Sequence, residues 1–301
     1  MLNKPERTVK EWQVNRLVTL PDALPKVLSD IKNRHKAISE QGLTVVGLPT
    51  GISKLNDLLG GFQSGLHLLA AEPGEGKTTF ALQAAAHVAQ MGYPALFISF
   101  KESLYRLIPK VPCMQKGLIT KNYMDGYGDP RDIEQVVKEY GQKLEPLYFI
   151  EGTTGLTVSD VKEGALQIMT KKNTNKCLMV VDYLQRWAST KREFNDFRHV
   201  VSALVGELWE LSLRLNIPIL VISSQNRVGQ RSVSLLSLKE SGDLEYSADT
   251  VMFLVKAKKR TVISPVRAVD LVIEKNRYGD KGRVELIFRS DIGIFRVNDE
   301  H

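Results

Sequence analysis

The chain has 301 residues, of which 43% are hydrophobic and 25% are charged, as in ordinary globular proteins. Because it has neither an apolar run of about 18 residues nor a secretory signal, the sequence excludes a transmembrane protein and predicts a cytoplasmic location. The two cysteines, Cys113 and Cys177, lie far apart, so neither a disulfide framework nor a zinc site is expected. The net charge of +7 suits a polyanionic partner without identifying one.

The first 45 residues differ from the rest of the chain. Prolines punctuate them, and Ala23–Glu40 reads as a helix with one apolar and one basic side. That helix either packs on its own domain or forms an arm that docks on a neighbouring subunit. We therefore predict an N-terminal arm or linker helix at 1–45 and one main domain at 46–301.

From residue 47 onward, predicted strands alternate with predicted helices. The strand candidates are His67–Ala71, Ala95–Phe100, Leu147–Glu151, Lys176–Asp182 and Ile217–Ser224, and the helix candidates are Thr78–Gln90, Ile133–Gln142, Val158–Lys171 and Asp196–Leu215. The strands are continuously apolar, which predicts an α/β fold: a mostly parallel sheet with helices on both faces. After residue 225 only short strands follow, at Thr250–Val255, Val269–Lys275, Arg283–Phe288 and Ile292–Val297, so we predict an antiparallel β C-terminal end.

The most informative motif is Ala-Glu-Pro-Gly-Glu-Gly-Lys-Thr at 71–78, between a predicted strand and a predicted helix. This is the context of a phosphate-binding loop, in which glycines let backbone N–H groups point at phosphate oxygens. Lys77 is expected to reach the β- and γ-phosphates and Thr78 to hold Mg²⁺. A simple Gly-rich turn is the alternative. The predicted nucleotide-binding residues are Pro73, Gly74, Glu75, Gly76, Lys77, Thr78 and Thr79.

Two further strand ends complete the predicted chemistry. Asp182 closes an apolar strand, where its carboxylate is expected to help hold Mg²⁺. Gln225 follows the next strand, where it is placed to sense the γ-phosphate and relay hydrolysis into the loop that carries Arg227 and Arg231. The alternative for these two arginines is an ordinary solvated loop.

Together these motifs resemble the RecA-like core of hexameric DnaB-type replicative helicases. The resemblance is carried by Val-Asp-Tyr-Leu-Gln at 181–185, Ser-Gln at 224–225, Lys-Glu-Ser-Gly at 239–242, Ala-Asp at 248–249 and Ile-Glu-Lys-Asn-Arg-Tyr-Gly at 273–279. It covers roughly residues 45–297, with the motifs in the family's order. We do not expect the family's separate N-terminal helical domain here, because the 45 residues before the match are too few for it.

The resemblance implies specific roles. ATP with Mg²⁺ would bind between the subunits of a homo-oligomeric, most often hexameric, ring. Lys275 and Arg277 would reach into the neighbouring subunit's nucleotide site, with Arg277 as the finger on the γ-phosphate. Lys239, Glu240 and Gly242 would face a central channel and grip single-stranded DNA through its phosphates, together with the arginines at 227 and 231.

One position departs from the family pattern. The family ends its second core strand with Ser-x-Glu, whose glutamate orients the attacking water, whereas this chain has Ser99-Phe100-Lys101-Glu102. Protonated Lys101 cannot act as that base, so the neighbouring Glu102 is the candidate, brought to the site by a small bulge.

These observations predict an ATP-dependent ring motor that translocates on single-stranded DNA. Two alternatives stay open at this point. One is a RecA-like signalling or loader ATPase that does not unwind DNA. The other is an ATP-binding assembly subunit without hydrolysis, for which Lys101 is the main support.

Overall fold

The computed structural model describes residues 17–41, 45–190, 197–224, 242–257 and 263–298. The helices within these ranges are α1 (Leu20–Gln41), α2 (Ser53–Leu59), α3 (Lys77–Gln90), α4 (Leu104–Leu107), α5 (Lys110–Lys116), α6 (Thr120–Met124), α7 (Pro130–Leu144), α8 (Val158–Lys171), α9 (Leu184–Thr190), α10 (Phe197–Leu215) and α11 (Gly242–Ser247). The strands are β1 (Gly65–Ala71), β2 (Ala95–Ser99), β3 (Leu147–Glu151), β4 (Leu178–Asp182), β5 (Pro218–Ser224), β6 (Thr250–Lys256), β7 (Val266–Asn276), β8 (Gly282–Arg289) and β9 (Ile294–Val297).

The described strands form one sheet in the order β3-β2-β4-β5-β1-β6-β7-β8-β9. Strands β3 to β6 in this order pair in parallel, and β7, β8 and β9 continue the sheet with antiparallel pairing. The predicted parallel sheet with an antiparallel end is therefore confirmed. One detail was wrong: β6, which we grouped with the antiparallel end, pairs in parallel with β1.

Helices cover both faces of the sheet, as the continuously apolar strands predicted. Successive strand residues alternate between two hydrophobic cores: Leu69 and Ala71 face one, whereas Leu68 and Ala70 face the other. The first core includes residues of α2, α3 and α5, and the second includes residues of α8, α9, α10 and α11. None of the helices in the described ranges combines the length and apolar character needed to cross a bilayer.

Several short helices escaped the sequence prediction. Between β2 and β3 the chain forms α4, α5 and α6, each of seven residues or fewer, before the predicted helix α7. Such short segments do not display enough turns for a helical period to be recognised. Their importance lies in α4 and α5, which lie beside the end of β2 and supply one wall of the cleft described below.

Helix α1 confirms the predicted N-terminal helix, extended by a few residues. All five residues of its predicted apolar side are 43–54% exposed, namely Leu24, Val27, Leu28, Ile31 and Ile38. The division of the chain at residue 45 stays a prediction.

Candidate active site

The candidate site lies at the edge of the sheet where the parallel strands end, which is where ligands bind in α/β folds. The phosphate loop connects β1 to α3, with Gly74 (φ 87°) and Gly76 (φ 89°) both in the left-handed region. A Cβ on Gly76 would lie 2.8 Å from Phe295 Cζ and 2.9 Å from Phe288 Cε1. Glycine at 76 is therefore required both by the turn and by the aromatic pair beneath it.

Lys77, the first residue of α3, is folded back onto its own loop. Its ammonium donates hydrogen bonds to the backbone carbonyls of Ala71 (2.6 Å) and Glu72 (3.0 Å). Burial, and next the positive charge of Lys101, lower the pKa of Lys77 to about 8. Both effects disfavour the protonated amine in the absence of a bound anion. A bound phosphate would favour the protonated form.

Asp182 ends β4 with its side chain 1% exposed. Neither of its carboxylate oxygens has a well-oriented hydrogen-bond partner among the residues that the structure describes. Burial raises the pKa of Asp182, while the Thr78 hydroxyl and the charges of Lys101 and Lys77 oppose that rise. A buried and unsatisfied carboxylate is costly unless something binds it.

The pair formed by Asp182 and Thr78 fits Mg²⁺, which prefers oxygen ligands and is usually held by one or two carboxylates together with substrate phosphates. The described residues contain no cluster of three or more histidine, cysteine, aspartate or glutamate side chains that could hold a metal alone.

A cleft of about 720 Å³ opens in front of the loop. Its lining includes the loop residues Gly74 to Thr79 (apart from Glu75), together with Lys101, Glu102, Ser103, Arg106, Lys110, Arg267, Phe288 and Ser290. Besides the loop, four cations line this cleft, which suits a triphosphate: Lys101, Arg106, Lys110 and Arg267.

Lys101 and Glu102 both reach this cleft, because a tight turn follows β2. The Ser99 hydroxyl donates to the Glu102 carbonyl (2.6 Å) and accepts from the Glu102 backbone N–H (3.2 Å). Glu102 Oε2 forms an ion pair with Lys110 Nζ at 2.6 Å. The structure thus places a carboxylate at the site beside the lysine that replaces the expected glutamate.

Arg267 is a site residue that the sequence analysis missed. It lies on β7, donates from Nη1 to the Gly74 carbonyl (3.0 Å) and stacks its guanidinium 4.7 Å from the centre of the Phe288 ring. The predicted strand began two residues later, at Val269, and no local motif marks the arginine. Its position beside the loop results from the long-range pairing of β6, β7 and β8.

Next to the loop, the end of β5 is held by Gln185 of α9. Gln185 Nε2 donates to the Ser223 hydroxyl (2.6 Å), and Gln185 Oε1 accepts from the Ser224 backbone N–H (3.2 Å). Gly242 is the first residue of α11. The other predicted residues of this region lie outside the described residues, namely Gln225, Arg227, Arg231, Lys239 and Glu240.

Lys275 and Arg277 lie at the opposite edge of the sheet from their own phosphate loop. Arg277 Nη1 pairs with Asp249 Oδ1 at 2.8 Å, and Asp249 Oδ2 accepts from the Leu66 backbone N–H at the start of β1. Leu66, near the start of β1, and Ala71, where the phosphate loop begins, are roughly 16 Å apart along the strand. The structure therefore does not bring these two cations to the cleft of the same chain.

Comparison with known proteins agrees with this geometry. A family model described as "DnaB-like helicase C terminal domain" matches residues 47–297. The replicative DNA helicase DnaB of Geobacillus stearothermophilus is 28% identical over 98% of this chain and 66% of its own length. The Pasteurella multocida protein of the same name is 29% identical over 90% of this chain and 59% of its own length. The chain thus spans about two thirds, or less, of the length of these curated relatives.

Solved structures show the same fold. A DnaB-like replicative helicase, solved in a study of its interactions with primase, covers 94% of this chain and 68% of its own, with TM-score 0.75 and 22% identity. A KaiC-like protein of Pyrococcus horikoshii covers 84% of this chain and 98% of its own, with TM-score 0.57 and 18% identity. At these identities the likeness concerns the RecA-like fold of the ATPase domain.

Proposed function

The chain belongs to the DnaB-like helicase C-terminal domain family, and from this premise we propose that it is an ATP-dependent, ring-forming motor that translocates on single-stranded DNA in the cytoplasm. The observation that carries the proposal is the separation of two half-sites. The phosphate loop and Asp182 lie at one edge of the sheet, whereas Lys275 and Arg277 lie at the other. A complete site then requires two subunits, which a ring of copies supplies.

Nucleotide binding changes the partners of Lys77. The amine leaves the carbonyls of Ala71 and Glu72 and binds the β- and γ-phosphates, while the loop N–H groups and the start of α3 hold the other phosphate oxygens. Thr78 and Asp182 would hold Mg²⁺, which would supply positive charge to neutralise the phosphates. The unsatisfied carboxylate of Asp182 supports this assignment.

For hydrolysis, we assign the base to Glu102. A base must lie within reach of the attacking water and be unprotonated. Glu102 lines the cleft, and its carboxylate forms an ion pair with Lys110. Lys101 adds a cation beside Lys77 that favours phosphate binding rather than proton removal.

The neighbouring subunit completes the site. Lys275 and Arg277 from its opposite edge contact the γ-phosphate, where an arginine stabilises the charge of the transition state. The exposed apolar side of α1 supports an arm that docks on a neighbouring copy, with the domain boundary near residue 45. Gly242 and the loop before it, with Arg227, Arg231, Lys239 and Glu240, contact the DNA backbone.

The test is steady-state ATP hydrolysis by the oligomer, with and without single-stranded DNA, for the wild type and for Lys77→Ala and Glu102→Gln. We expect DNA to stimulate turnover and both variants to lose it, with Glu102→Gln still binding ATP. Wild-type protein that binds ATP without any turnover would instead indicate a nucleotide-gated assembly protein. Turnover that DNA leaves unchanged would indicate a signalling or loader ATPase.

A further inference from the structure

The buried carboxylate of Asp249 connects three elements at the edge of the sheet opposite the phosphate loop. Asp249 is 2% exposed and directly precedes β6. Its Oδ2 accepts from the Leu66 backbone N–H (2.9 Å), and its Oδ1 accepts from Arg277 Nη1 (2.8 Å). Its backbone carbonyl also accepts from the Arg277 N–H (2.8 Å), so that Arg277 is held by both its backbone and its side chain.

The carboxylate itself has little freedom to move. The backbone N–H of Asp249 donates to the Leu66 carbonyl at 2.8 Å, and this bond fixes Asp249 to the first residues of β1. Gly65 leaves the room for it: a Cβ at that position would lie 2.3 Å from Asp249 Oδ2, and Gly65 has φ 133°. A carboxylate held in this way is a rigid anchor for a guanidinium.

Arg277 is anchored on one side and open on the other. Its side chain is 45% exposed, whereas that of Asp249 is 3% exposed. The contact therefore restricts the long arginine side chain, which would otherwise sample many rotamers, without covering it.

The same segment holds the second cation. Lys275 Nζ donates to the carbonyls of Glu245 (2.7 Å) and Tyr246 (3.2 Å) at the C-terminal end of α11. Asp249 follows two residues after that helix. Residues 245–249 thus fix both cations.

We propose that Asp249 is the positioning residue for Arg277: it presents the guanidinium to the nucleotide site of the adjacent subunit. This inference rests on the proposed function, in which Arg277 acts across a subunit interface. It assigns to Asp249 a role in turnover by the neighbour, not in the nucleotide site of its own chain.

Asp249→Asn tests the proposal, because the amide keeps the shape of the side chain and removes its charge. A misplaced catalytic group costs about 100-fold in rate, so we expect kcat for ATP to fall about 10- to 100-fold with little change in KM. The matched control is Asp270→Asn, since Asp270 is also buried in the sheet and paired with an arginine, Arg283, at 3.6 Å. We expect the control to keep wild-type kcat.

Subunit mixing decides where Asp249 acts. In oligomers mixed from Asp249→Asn and Lys77→Ala subunits, some interfaces combine an intact phosphate loop from the first with an intact Arg277 and Asp249 from the second. We expect turnover to exceed the sum of the two separate rates. If Asp249 served its own phosphate loop or only the stability of the fold, no interface would recover, and that result would overturn the inference.

A parallel mixture of Arg277→Ala with Lys77→Ala tests the shared site between subunits separately from the positioning role of Asp249. If this pair complements and Asp249→Asn with Lys77→Ala does not, the positioning role is wrong while the shared site stands. If neither pair complements, the composite site is wrong, and the inference falls with it.

Discussion

The side-chain amide of Gln185 donates a hydrogen bond to the Ser223 hydroxyl at the end of β5, beside the phosphate loop. Gln185 follows Asp182 by three residues, so a short segment joins the carboxylate proposed to hold Mg²⁺ to the end of β5. Gln225, proposed to sense the γ-phosphate, comes two residues after Ser223. The position of the end of β5 therefore depends on the segment that carries Asp182.

We expect Gln185→Ala to reduce DNA-stimulated ATP turnover more than basal turnover. The variant loses two hydrogen bonds, which together stabilise the fold by about 1–3 kcal/mol, and it releases the strand end that precedes the residues proposed to contact DNA. Hydrolysis assays with and without single-stranded DNA measure the effect. Ser189→Ala, which removes a hydroxyl bond to the Arg186 carbonyl on the same helix, is the control. Equal loss of both rates would contradict this account.

ATP affinity should fall as the pH rises through about 8. In the free protein the pKa of Lys77 is about 8, below its ordinary value of 10.5, whereas phosphate keeps the bound amine protonated. Above that pH, binding must therefore take up a proton, and affinity is lost with it. Titration calorimetry in buffers of different ionisation enthalpy measures both quantities.

Lys101→Ala provides the internal check on the pH dependence. Removing that charge raises the pKa of free Lys77, so the decline in affinity should move to higher pH. Lys121→Ala, at an exposed position of α6, should leave the profile unchanged. An affinity independent of pH in the wild type would mean that Lys77 does not bind the phosphates as a cation.

Asp182→Asn should separate stability from nucleotide binding. Burial raises the pKa of Asp182, so in the nucleotide-free protein its ionisation lowers the free energy of unfolding as the pH rises above the ordinary aspartate range. The neutral amide removes this cost, and we expect stabilisation on the order of 1 kcal/mol. Thermal denaturation should then show a higher Tm without nucleotide but almost no further rise with Mg²⁺ and ATP.

Asp125→Asn is the control for that experiment, because Asp125 is exposed and does not line the cleft. It should keep the wild-type response to Mg²⁺ and ATP. A normal nucleotide-induced rise in Asp182→Asn would show that the carboxylate does not hold the metal.

The local parts of the site were predictable from the sequence, and the parts formed by distant segments were not. A few consecutive residues encode the loop with Lys77 and Thr78, and a few others encode the strand end at Asp182. Parallel strands bring these ends to one edge of the sheet. Arg267 lacks such a signal, and the Ala-Asp motif at 248–249 does not by itself reveal the partner of Asp249. Arg267 meets Gly74 through the register of β7, and Asp249 meets Arg277 because β6 pairs with β7 so that Thr250 lies opposite Asn276.

The departure at Lys101 leads to the last prediction. Residues 99–102 form a turn in which Ser99 bonds both backbone groups of Glu102, so positions 101 and 102 both reach the cleft. Lys101→Glu restores the family's Ser-x-Glu pattern without altering those backbone bonds. If position 101 is the better place for a base, turnover should rise by about 100-fold, the lower end of the usual contribution of general-base catalysis.

The double variant Lys101→Glu with Glu102→Gln distinguishes the two carboxylates. If the new glutamate acts as the base, the double variant should stay active although Glu102→Gln alone is inactive. If Glu102 is held by Lys110 in the only productive position, the double variant should be as inactive as the single one, and Lys101→Glu should lower ATP affinity by removing a cation beside Lys77. Single-turnover hydrolysis together with ATP binding measures both. Full activity in Glu102→Gln would contradict the assignment of the base.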